Sequence, residues 1–129
     1  MDRLDGEVSA MAILVVDDEP RLRQTIVRSL AARGHTVDRA TTCAEAIDAA
    51  TEREYDLVLL DVNLPDATGW DVLGELRRRG RSVPTVMVSA VPPTAARVRE
   101  FNPFGVLHKP FPIDALLRFV RLAQNPGAI

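Results

Sequence analysis

Short apolar runs alternate along this chain with amphipathic stretches, and that alternation admits few folds. Ala12–Val16 and Leu57–Leu60 are apolar at every position, as strands covered on both faces are. Thr36–Ala40 is a weaker run, Pro84–Ser89 a strong one, and Val106–Lys109 the last. Between them, apolar residues recur at helical spacing: Leu22, Ile26, Val27 and Leu30; Ala46, Ile47, Ala49 and Ala50; Trp70, Leu73 and Leu76; Ile113, Leu116, Leu117 and Val120. Strand–helix units joined by right-handed crossovers predict an α/β fold: a doubly wound, five-stranded parallel sheet in order 2-1-3-4-5, with helices on both faces.

Local signals set the boundaries. Pro20 suits a first helical turn, and Gly34 suits the position just past a helix end. Thr42 and Glu45 form a capping-box pattern. Asn63 to Gly69 is rich in turn residues. Val91-Pro92-Pro93 delays the fourth helix to about Pro93 or Thr94, and Pro103 ends it early. That helix should be short, anchored by Val98 and Phe101. Residues 1–10 read as a flexible lead-in, 11–124 as one domain, and 125–129 as a tail.

Several function classes fall away on simple grounds. No apolar run approaches the roughly 20 residues that span a bilayer, and the polar opening does not read as a signal peptide. A net charge of −2 gives no basis for direct nucleic-acid binding. The Arg77-Arg78-Arg79 and Arg81 cluster reads as a solvated helix end that suits the helix dipole. Cys43 is alone, so no disulfide can form within the chain, and a cytoplasmic setting is the simplest. It reads as a small helix residue rather than a redox centre.

The chemistry gathers where the runs end. In a parallel sheet, Asp17 and Asp18, Asp61, Ser89 and Lys109 all reach the carboxyl edge, where open α/β sheets place their sites. Each has a plain reading when taken singly. Asp17-Asp18-Glu19 can favour the helix dipole, Asp61 can start a loop, and Lys109 can lie on the surface. Three carboxylates brought together repel one another, and a cation must offset that repulsion. Hard oxygen ligands with open positions suit Mg²⁺. Asp61 can then act as a nucleophile toward phosphorus, with Lys109 and Ser89 facing the phosphoryl oxygens. A tight turn aiming Lys109 inward favours a cis bond to Pro110.

The ordered set Asp17-Asp18, Asp61, Pro65, Gly69, Ser89 and Lys109-Pro110-Phe111 resembles the receiver domain of bacterial two-component response regulators. The resemblance covers about residues 11–123 and implies a flavodoxin-like fold. By position, it implies that Asp61 is the phosphoacceptor. Asp18, Asp61 and the main-chain carbonyl of Asn63 would ligate Mg²⁺, with Asp17 acting through water. Lys109 would pair with Asp61 and its phosphate, and Ser89 would be the switch hydroxyl. The implied partner is a histidine kinase or histidine phosphotransfer protein, whose histidine donates the phosphoryl group; His35 and His108 do not fit that role. The protein would be a signalling phosphoacceptor rather than an enzyme, at most catalysing its own phosphotransfer and dephosphorylation. A phosphorylation-dependent dimer is among the assemblies the resemblance allows.

This chain departs from the family pattern in two places. Its segment between Ser89 and Lys109 is short and carries Pro92, Pro93 and Pro103. Val106 stands where the family usually has an aromatic that moves with the switch hydroxyl. Activation is therefore expected to rearrange residues 90–105 more than Val106. Two other readings compete. An aspartyl-phosphate phosphohydrolase commonly carries a second acid two residues after its nucleophile, where this chain has Asn63. A pseudo-receiver would act as an interaction module without phosphorylation.

Overall fold

The computed structural model describes residues 10–125. The expected lead-in, residues 1–10, and tail, residues 125–129, lie outside those described apart from Ala10 and Asn125. Five strands and five helices alternate: β1 Ala12–Val16, α1 Pro20–Ala32, β2 Thr36–Ala40, α2 Cys43–Glu52, β3 Leu57–Asp61, α3 Gly69–Arg78, β4 Thr85–Ser89, α4 Ala95–Phe101, β5 Gly105–His108 and α5 Ile113–Gln124. The strands form one sheet in order β2-β1-β3-β4-β5, and every pairing is parallel.

The pleat sorts side chains by parity. Ile13, Val15, Leu57, Leu59, Val86, Val88 and Leu107 pack on one face with Ile26 and Leu30 of α1 and Leu116, Leu117 and Val120 of α5. Leu14, Val16, Val58, Leu60 and Met87 pack on the other with Ala46 of α2 and Val72, Leu73 and Leu76 of α3. Both faces of β1 and β3 are therefore covered, which accounts for their unbroken apolar runs.

The helix ends follow the local signals with two differences. Gly34 takes φ +90 just past α1, a conformation that suits glycine. Thr42 caps α2 by accepting the Glu45 N–H, but the Glu45 carboxylate turns to the N–H and hydroxyl of Thr41 instead of Thr42. The reciprocal box forms at Thr68 and Asp71 of α3, where aspartate replaces the usual Glu or Gln.

Strand β4 begins at Thr85, because Pro84 has no N–H to give and only its carbonyl joins the ladder, accepting from Val58. Strand β5 begins one residue early, at Gly105, and ends at His108, so Lys109 stands just beyond it. The Lys109–Pro110 bond is cis. Helix α4 starts at Ala95 behind the Thr94 cap and stops at Asn102, which takes φ 44 before Pro103. It has no buried residue. Phe101 reaches the α2–α3 core, whereas Val98 joins neither cluster, because α4 leans on α3 rather than on the sheet.

Candidate functional site

The parity that sorts the core also aims the polar residues. Asp17, Asp61 and Lys109 continue the β1, β3 and β5 positions whose side chains face α1 and α5. Asp17 and Asp61 are each 3% exposed. Asp18 follows at the turn into α1 and is exposed. Carboxylate oxygens of Asp17, Asp18 and Asp61 all lie within 4.8 Å of one another.

Both Asp61 oxygens are engaged. Oδ1 accepts the Asn63 N–H at 3.1 Å, and Oδ2 accepts from Lys109 Nζ at 2.9 Å. Lys109 also donates to Glu19 Oε1 at 3.1 Å and stands 3.5 Å from Asp17 Oδ2. Burial works against its charge, yet hydrogen bonds to Asp61 and Glu19 and the charges of Asp17 and Asp61 outweigh it, holding the pKa above the ordinary lysine value. The Asp17 carboxyl is raised by burial, although the Glu19 amide and Lys109 pull the other way. One ammonium thus stands among three carboxylates, a strongly negative pocket.

Backbone contacts hold this arrangement. The Asp17 N–H joins the Ala40 carbonyl, and its Oδ1 accepts the Glu19 N–H at 2.7 Å. Arg23 Nη1 donates to the Asp17 carbonyl at 3.0 Å. A Cβ on Gly69 would run into the carbonyl oxygen of Asp61, so only glycine lets α3 begin this close to the acceptor strand. The same loop is tied sideways, since Asp66 accepts the N–H groups of Cys43 and Ala44. The Cys43 thiol itself is buried, and burial, with Asp66 beside it, pushes its pKa up to about 11, which leaves it unreactive.

Ser89 lies on the opposite parity, that of Met87. Its hydroxyl donates to the Val91 carbonyl at 2.6 Å and accepts the Val91 N–H at 3.1 Å. It borders a cleft of about 250 Å³ with Asn63, Trp70, Val91, Pro92 and Arg97. The edge therefore brings Asp17, Asp18, Asp61 and Lys109 together, while Ser89 stands at its rim, committed to its own loop. Val106 is half-buried and packs in the α2–α3 core.

The family model for the response regulator receiver domain matches residues 13–121. The chain belongs to the response-regulator receiver family. This receiver is 36% identical over 129 residues to TcrA, a transcriptional regulatory protein of Mycobacterium tuberculosis, in an overlap of 98% of the receiver chain and 51% of TcrA. It is 32% identical over 120 residues to CusR of Escherichia coli, covering 92% of the chain and 53% of CusR. The chain thus spans about half the length of these curated relatives. Among solved structures, the response regulator TrrA of Thermotoga maritima, in complex with Mg²⁺-BeF, matches with a TM-score of 0.77 and 29% identity, covering 87% of the receiver and 97% of TrrA. A CheY-like receiver domain of Methanospirillum hungatei gives a TM-score of 0.84 at 22% identity, over 92% and 96% of the two chains, a likeness of fold.

The receiver's donor set fits a hard divalent cation. It offers carboxylate oxygens and no soft ligand, and the exposed side of Asp18 leaves room for water. Glu19 is the site residue the sequence does not reveal. Its partner Lys109 is 90 positions away, and its side chain, 62% exposed, is recruited only by the fold.

Proposed function

We propose that this receiver takes a phosphoryl group onto Asp61 from the phosphohistidine of a histidine kinase or histidine phosphotransfer protein. One observation carries the reading: the buried Asp61 carboxylate lies 2.9 Å from Lys109 beside two further carboxylates. In the reaction, an Asp61 oxygen attacks phosphorus as the bond from phosphorus to the donor's ring nitrogen breaks. The nitrogen keeps the electron pair, and an acyl phosphate forms. Asp18, Asp61 and the Asn63 carbonyl would hold Mg²⁺, with Asp17 acting through water. When bound, Mg²⁺ supplies Lewis-acid neutralisation of the phosphoryl oxygens. Lys109 provides the second positive charge, and Ser89 donates a hydrogen bond once it leaves Val91.

The protein is then a signalling phosphoacceptor rather than a turnover enzyme, and it works in the cytoplasm. Its relatives TcrA and CusR are named as transcriptional regulatory proteins, which supports an output of that kind. A phosphorylation-independent module has no use for two buried carboxylates facing one lysine, an arrangement costly unless it serves chemistry.

The test is direct. With acetyl phosphate and Mg²⁺, the wild-type protein should gain the mass of one phosphoryl group, and Asp61→Asn should gain none. Uptake by Asp61→Asn at the wild-type rate would place the acceptor elsewhere. No uptake by the wild type would return the reading to a pseudo-receiver.

A further inference from the structure

Ser89 has one hydroxyl proton, and that proton is committed to the Val91 carbonyl. To reach a phosphoryl oxygen on Asp61, the hydroxyl must release Val91, whose N–H and C=O then need new orientations. Between Val91 and Thr94 the chain has only Pro92 and Pro93. Their rings fix φ, so this link cannot absorb the change by turning about those bonds. The next residue, Thr94, caps α4 by accepting the Arg97 N–H at 3.1 Å.

Arg97 is where α4 is seated. Its guanidinium lies 5.5 Å from the Trp70 ring centroid and 5.7 Å from that of Phe101, and the two rings are 5.3 Å apart. Behind the hydrogen bonds from Thr68, the Arg97 charge also helps hold the Asp71 carboxyl below its usual range. No residue of α4 is buried, and this cation–aromatic contact and the Trp70–Phe101 ring pair attach it to α3. The cleft of about 250 Å³ between Ser89 and Trp70 leaves the intervening segment room to move.

We propose that Arg97 is a positioning residue for Ser89: stacked on Trp70 and Phe101, it holds α4 and the Pro92-Pro93 link in the arrangement that keeps the Ser89 hydroxyl on Val91. The proposal rests on Asp61 being the phosphoacceptor. It gives a receiver with Val106 on β5 an aromatic coupling through α3 and α4 instead. Because the seat opposes release of Ser89, loosening it shifts the population toward the phosphoryl-facing arrangement, and a ligand that selects that arrangement binds more tightly.

The experiment titrates the whole protein with beryllofluoride and Mg²⁺. Bound fluoride is followed by ¹⁹F NMR, and Trp70, the single tryptophan, by fluorescence. Arg97→Ala should tighten apparent beryllofluoride affinity about two- to fivefold, the factor that an exposed cation–aromatic contact is worth. Arg97→Lys keeps a cation over the rings and should stay near the wild type. Arg99→Ala, on the same helix but away from the rings, should match the wild type. Trp70 fluorescence should change on binding in the wild type and less in Arg97→Ala. A merely structural role would lower the denaturation midpoint of Arg97→Ala and leave affinity unchanged. Unchanged or weaker affinity in Arg97→Ala, with bound fluoride visible, overturns the coupling alone. Absence of any bound fluoride in the wild type overturns the acceptor site and the coupling with it.

Discussion

Lys109 Nζ and Asp61 Oδ2 meet at 2.9 Å, joining the ends of β5 and β3 across the intervening β4. The lysine occupies the negative pocket that a divalent cation would share. Lys109→Ala should therefore tighten Mg²⁺ binding about fivefold or more, since even well-screened charges at such range interact by about 1 kcal/mol. Calorimetric titration with Mg²⁺ reads this, and weaker binding would mean that Lys109 orders the carboxylates more than it competes. The same variant should lose the backbone NMR shift changes around Ser89 on phosphorylation.

Asp18 is the exposed member of the carboxylate trio. Asp18→Ala should weaken Mg²⁺ binding at least tenfold by removing a hard ligand, with little loss of stability. Titration paired with urea denaturation separates the two effects. Equal Mg²⁺ affinity in variant and wild type would remove Asp18 from the ligand set.

Gly69 meets the Asp61 carbonyl where a Cβ would have to stand. Gly69→Ala must push α3 from the end of β3, at a cost of about 1–3 kcal/mol, as for overpacked cores. A urea midpoint like that of the wild type would show that the loop yields freely. Phosphorylation by acetyl phosphate should slow as well, because the same shift displaces Asp61.

His35 is buried, and its Nδ1 accepts the Met11 N–H at 3.0 Å, which requires a neutral ring. Burial, aided by the Arg33 charge, holds its pKa below the ordinary 6.5. The unfolded chain thus binds this proton more readily than the folded one. Its stabilising contribution is complete above about pH 6.5 and is lost as pH falls below that value. Asp17 acts in the opposite sense, because its pKa is raised and acid relieves its burial. The difference between wild type and His35→Gln isolates the histidine. The wild-type urea midpoint should drop from pH 7 to 5 by more than that of the variant, and parallel profiles would refute the assignment.

Two layers of this protein differ in how far the sequence could reveal them. Strands β1 and β3 were legible because a strand covered on both faces must be apolar, as Ala12–Val16 and Leu57–Leu60 are. The capping pairs were legible only roughly: Glu45 moved its bond to Thr41, and the Thr68–Asp71 box carries an aspartate that the usual pattern omits. Val98 has helical spacing with Phe101, yet spacing cannot say how closely a two-turn helix approaches the sheet.

Strand–helix order, the polar residues at the strand ends and hence the edge where the site lies could be read along the chain, because periodicity and turn chemistry are local properties. How those residues meet is a matter of three-dimensional packing. Strand parity sent Asp17, Asp61 and Lys109 to one face and Ser89 to the other. Folding brought Glu19 onto Lys109 and Arg97 onto Trp70, contacts between residues far apart in the chain. Such pairings depend on the relative placement of whole elements, which packing of the shared core sets and no local pattern encodes.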